Sequence, residues 1–119
     1  MEGKIRDVRN YEEQIKSTIF SFYEAFYKRD RLMMYSYLDT SFQREVPLNY
    51  FLIHPEYDKD LGRLLEIIRI EIQHERKIAF VEGTVEMNKE NKNFGIALKT
   101  DFGGWKIEGE SIYKRDFVF

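Results

Sequence analysis

The feature that most constrains this chain is a change in the spacing of its apolar residues near Arg63. Ahead of that point they recur about every 3.6 residues, the period of a helix; after it they recur every second residue, the period of a strand. Helices followed by strands, without alternation between the two, predict an α+β fold and not a doubly wound parallel sheet.

The helical half opens near Asn10, where Asn10 and Glu13 have the spacing of a capping box. Tyr11, Ile15, Ile19, Phe22 and Phe26 then form one stripe, with Phe20, Tyr23 and Tyr27 beside it. Glu13, Ser17, Ser21, Glu24 and Lys28 make the polar face, and Glu24–Lys28 is a favourable pair one turn apart. The apolar arc covers about half the circumference, more than contact with one sheet requires. It predicts contact with the sheet and also with a second helix or a cavity. Lys28-Arg29-Asp30 ends this helix, and Asp30 is placed to cap the next, in which Leu32, Met33, Tyr35, Leu38 and Phe42 can share parts of one face. Asp39-Thr40-Ser41 breaks that second helix or opens a short turn. Pro47 to Gly62 reads as irregular, with His54-Pro55 opening a short helix that Gly62 ends.

Beyond Arg63, Ile68, Ile70 and Ile72 alternate with Arg69, Glu71 and Gln73 in a half-buried strand. A second strand spans Ile78 to Met87, followed by a polar hairpin loop from Asn88 to Asn93. Phe94, Ile96 and Leu98 mark a third strand, and a glycine turn at Asp101-Phe102-Gly103-Gly104 leads into a fourth, from Trp105 to Tyr113 or Lys114. Connections this short join antiparallel neighbours, so the strands form a meander. Two parity changes stand out. Ile78 and Phe80 alternate out of phase with Val85 and Met87, with the change at Glu82-Gly83, and Ile107 is out of phase with Ile112 around Gly109. A β-bulge at each point would bend the sheet and restore one apolar face. Alternatively the sheet is apolar on both faces, one under the helices and one against a partner.

One domain over residues 1–119 follows from length, and a chain this long buries a core without covalent staples. Aromatic residues are 16% of the chain, 10 Phe and 8 Tyr among them, enough to line either a core or a cavity. The 21 acidic and 19 basic residues leave a net charge of −2, which gives no long-range attraction to nucleic acid or an anionic membrane. The absence of cysteine excludes disulfides, thiolate metal sites and a cysteine nucleophile, and fits the cytoplasm without excluding export. No signal-peptide-like run or membrane-spanning stretch is present in the sequence. Cytoplasmic localisation is the expectation.

Two stretches resemble the nuclear-transport-factor-two-like superfamily, the cone-shaped α+β fold that includes SnoaL-like and ketosteroid-isomerase-like proteins. The first is Phe22-Tyr23-Glu24-Ala25-Phe26-Tyr27-Lys28-Arg29-Asp30 leading into Leu38-Asp39; the second is Gly103-Gly104-Trp105-Lys106-Ile107. The resemblance implies N-terminal helices on the concave face of a curved four- to five-stranded antiparallel sheet, cystatin-like in shape. It says little about activity, because such a fold hosts enzymes, ligand binders and dimerisation modules. The carboxylate base and Tyr–Asp pair of the isomerase-like members do not map onto matching positions here.

No catalytic or metal-binding constellation is visible. His54 and His74 lack ligand spacing with other candidates, so no metal and no cofactor are expected. No nucleophile elbow or phosphate loop is present, and Lys89, Lys92 and Lys99 beside Glu90 read as a solvated hairpin tip. Tyr23, Tyr27, Tyr35, Tyr50 and Tyr57 belong to a core or line a cavity. The leading expectation is non-catalytic binding of a small apolar ligand or a protein partner. Phe22, Phe26, Tyr27, Tyr50, Phe51, Phe80 and Trp105 are the candidate ligand-binding residues, and a homodimer forms through the outer sheet face. The alternative is a cofactor-free isomerase, dehydratase or cyclase. It requires an acid such as Asp30, Glu66 or Glu82, the last on a strand face with Thr84 and Glu86, inside a pocket near a tyrosine. Phe117-Val118-Phe119 is an apolar segment expected to dock on its own domain or on a partner.

Overall fold

The structure, a computed structural model, describes residues 2–102 and 104–113, with side-chain environments from residue 10 onward. The expectation for Phe117-Val118-Phe119 lies outside the described residues. Helix α1 (Glu2–Tyr27) begins well ahead of Asn10, which lies within it and caps nothing. Its main stripe is the one read from the sequence: Ile15, Ile19 and Phe22 are buried, with Tyr11 and Phe26 packed beside them. Of the second stripe only Tyr23 is buried, while Phe20 and Tyr27 remain exposed, so the covered arc is narrower than expected.

Four short elements follow. Helix α2 (Arg31–Ser36) is capped by Asp30, whose carboxylate accepts from the Met33 amide at 3.1 Å. It buries Met34, while Leu32 and Met33, expected on the covered face, are exposed. Helix α3 (Thr40–Glu45) is capped by Asp39. The stretch expected to be irregular contains helix α4 (Leu48–Ile53), which buries Phe51. After it, Pro55–Tyr57 form a single three-ten turn, not a helix reaching Gly62. An element of six residues spans less than two turns, too short to show a period.

Strands β1 (Arg63–Gln73), β2 (Ile78–Met87), β3 (Glu90–Asp101) and β4 (Gly104–Ile107) form an antiparallel sheet in the order β1-β2-β3-β4, with the helices packed on one face. The β2–β3 loop is shorter than expected: Asn88 and Lys89, at φ 56° and 66°, form a two-residue turn, and Glu90 to Asn93 belong to β3. Along the edge of β4, Ile107 donates to the Tyr37 carbonyl at 2.8 Å and accepts from the Asp39 amide at 2.9 Å. This single parallel bridge at Leu38 closes the edge as a rudimentary fifth strand.

Both parity changes resolve differently from the bulge reading. The β2–β3 ladder runs without interruption through Glu82-Gly83. Ala79, Val81 and Val85 are buried on the helical side, while Phe80 lies 42% exposed on the other. The register shifts lie in β1 instead, where Leu65 and Ile68 have no cross-strand partner, opposite the Glu82–Val85 segment. Ile68 is 58% exposed as a result. The bulges thus fall in β1 and not in β2, and Phe80 and Val85 stay on opposite faces. On the outer face the Phe80 ring covers Gly95, where a Cβ would stand 2.8 Å from it. At the second change β4 stops at Ile107, and Gly109 begins helix α5 (Gly109–Ile112). A Cβ on Gly109 would lie 2.3 Å from the Phe42 ring, so the chain turns where only glycine fits.

Candidate functional site

Two aromatic regions meet below α1. One is solid: Tyr35, Phe42, Phe51, Tyr57 and Tyr113 pack with ring centroids 5.2–6.3 Å apart. The other opens to the surface as a cleft of about 400 Å3. Buried Met34 and Tyr57 form its floor, and Phe26 and Tyr27 one wall. Arg29, Arg31, Asp58, Lys59 and Asp60 supply its charged border.

The end of α1 fixes this arrangement. The Asp30 amide donates to the Ala25 carbonyl at 2.8 Å and the Arg29 amide to the Phe26 carbonyl at 3.0 Å, a Schellman closure with Arg29 in the left-handed position at φ 58°. The chain therefore turns sharply into α2, bringing Arg29, Arg31 and Met34 beside Phe26 and Tyr27. Arg31 ties the opposite wall in place: its Nη2 donates to the Phe51 and Tyr57 carbonyls at 2.7 and 2.8 Å, and its guanidinium lies over the Phe51 ring. Lys59 Nζ donates to the Ile112 carbonyl at 2.8 Å. The Tyr27 hydroxyl accepts from the Leu64 amide, fastening α1 to the start of β1.

The charges around the cleft are unevenly used. Asp60 accepts from the Gly62 amide at 2.9 Å, and Asp58 stands 3.9 Å from Arg31 Nη1. The Arg29 side chain has no hydrogen-bond or ion-pair partner among the described residues. Among the described residues, three cations thus face two carboxylates, one of which serves its own loop. Nearby, burial raises the Tyr23 and Tyr113 phenols well above the ordinary tyrosine range, so both remain neutral donors across physiological pH. The Tyr113 hydroxyl and Trp105 Nε1 are buried without a partner among the described residues.

The seven residues expected to surround a ligand do not come together. Phe26 and Tyr27 border the cleft. Phe22, Phe51 and Trp105 are buried in the core, Tyr50 stacks on His54 at 4.4 Å, and Phe80 is on the far face of the sheet. The acids of the isomerase alternative are elsewhere too. Asp30 is an exposed cap, Glu66 is exposed on β1, and Glu82 pairs with Arg69 at 2.7 Å on the outer face. Sequence reading missed Arg29, Arg31, Met34, Asp58, Lys59 and Asp60. The available signal was that the first helix ends at Lys28-Arg29-Asp30 with no glycine to take the left-handed position.

A second cleft, of about 300 Å3, lies by α3 and is lined mainly by Asp39, Glu45, Lys99, Glu108 and Glu110. Asp39, 3% exposed, is fully engaged there: it accepts from the Gly109 amide at 3.0 Å and pairs with Lys99 at 3.2 Å. No group of three or more His, Cys, Asp or Glu side chains among the described residues is arranged to hold a metal ion. His54 lies 3.2 Å from Glu56, and His74 stacks on Tyr11. No helix of the described residues is long and apolar enough to cross a membrane. Comparison with family models, with curated proteins and with solved structures finds no match to this chain.

Proposed function

We propose that this domain is a non-catalytic binder of a small, mainly apolar molecule, built on a fold of the nuclear-transport-factor-two-like type. The observation that carries this reading is the cleft at the α1–α2 corner, with its buried floor of Met34 and Tyr57 and its Phe26–Tyr27 wall. Its volume falls within the range of small-molecule sites. None of Asp30, Glu66 and Glu82 lines this cleft, which weighs against the isomerase alternative. The homodimer expected through the outer sheet face has weaker support. That face is crossed by the Arg63–Glu86 and Arg69–Glu82 pairs, and Phe80 already covers Gly95.

Two measurements test the reading. Native mass spectrometry of freshly purified protein should show an added mass that is lost on denaturation. Titration with an uncharged fluorophore, N-phenyl-naphthylamine, should give saturable binding that weakens in a Phe26→Ala variant of unchanged circular dichroism. No adduct and no saturable binding would refute the proposal.

A further inference from the structure

Arg29 stands at a position that glycine would fill more comfortably. Left-handed backbone is disfavoured for any residue with a Cβ, and closures of this kind usually place glycine there. The arginine therefore sits there at a local conformational cost, and its side chain makes no ion pair or hydrogen bond among the described residues. What it does is border the cleft. Backbone strain held at the lip of a cavity, with an unused charge on the strained residue, is the pattern expected where the charge has an external partner.

The rest of the border defines that partner. Arg31 commits its Nη2 to two carbonyls and pairs with Asp58 at the long distance of 3.9 Å from Nη1. Lys59 donates to a neutral carbonyl and pairs with no carboxylate among the described residues. Asp60 is turned into its own loop. The floor between these cations is apolar. From this arrangement we infer that the cleft takes a small amphiphilic organic anion, its apolar body over Met34 and Tyr57 and its single anionic head against Arg29. This inference rests on the cleft being a ligand site, as proposed above, and adds the chemical class of the ligand.

The test compares two probes of nearly the same shape: anilinonaphthalene sulfonate, which carries an anionic head, and N-phenyl-naphthylamine, which carries none. On the intact chain at low salt the sulfonate should bind about tenfold more tightly, the size of one charge-assisted hydrogen bond. Added salt should erode that preference. Arg29→Gly, which suits the left-handed backbone and so preserves the corner, should abolish the preference by weakening the sulfonate far more than the neutral probe. Arg29→Glu, with the same backbone cost as the native residue, should make the sulfonate the weaker ligand. Equal binding of both probes, insensitive to either substitution, would overturn the anionic head and leave the cleft as an apolar site. Binding of neither probe would overturn both the class and the site.

Discussion

The chain turns two corners between helices, each marked by an aspartate that caps the helix after it, and the two corners differ in almost everything else. At the α1–α2 corner Asp30 is exposed and its carboxylate makes the single cap bond to Met33. At the α2–α3 corner Asp39 is buried. Its carboxylate accepts from Gly109 and, at 3.4 Å, from Phe42, it pairs with Lys99, and its amide donates to Ile107. The second corner joins α3, β3, β4 and α5. The first joins α1 to α2 and, through Arg31, to the Phe51 and Tyr57 carbonyls, and it carries a left-handed arginine with no partner among the described residues beside an open cleft. A residue type and a capping role are shared; burial separates the corner that ties four elements together from the one that borders the open cleft.

The contrast is sharpest in stability. Asp39→Ala removes the cap and leaves the Gly109 amide and the Lys99 ammonium without their acceptor, and should cost about 3 kcal/mol. Chemical denaturation would measure this, and a loss no greater than that of Asp30→Ala would erase the distinction. Next comes Gly109→Ala, whose methyl would overlap the buried Phe42 ring at the same corner. Overpacking of this kind should cost about 2 kcal/mol. Asp30→Ala should cost about 1 kcal/mol, the value of an exposed cap. Arg29→Gly should change stability in the opposite direction, gaining up to about 1 kcal/mol by relieving the left-handed strain. A destabilised Arg29→Gly protein would show that the arginine serves the fold after all.

The same contrast explains what the sequence made legible. Long, regular elements announce themselves: the Ile15–Ile19–Phe22 stripe and the Phe94–Ile96–Leu98 alternation appear in the structure as read. The α+β layout and the meander follow from them. Failures occur where the deciding partner is remote. A parity change in β2 shows that two ladders disagree, but not which strand carries the extra residue, and here β1 carries it twice. Phe80 reads as core because it is aromatic in an apolar strand, yet it covers Gly95 on the opposite face. β4 ends at Ile107, and the turn that follows packs Gly109 directly against Phe42, far back in the sequence. The cleft was the least legible feature of all. Its walls come from separate stretches, Phe26 to Met34 and Tyr57 to Asp60, that only the turn at Arg29 and the reach of Arg31 bring together.

The smallest expected effect concerns a third aspartate, which reinforces the buried corner from outside. Asp101 accepts from both the amide and the hydroxyl of Thr40, at 2.8 and 2.7 Å, and these two bonds hold its carboxyl below the usual carboxylate range. A group whose folded pKa is depressed stabilises the fold above its unfolded value and loses that contribution as pH falls through the folded one. The Asp101 contribution should therefore be complete at neutral pH and begin to fade below about pH 3.8, the ordinary value for the group. Because the carboxylate lies close to solvent, the effect is modest. Thermal melts of the native chain and Asp101→Asn would show it as a small gap in Tm at neutral pH that closes on acidification. A gap that stays constant through the acid range would mean that Thr40 gains nothing from the charge.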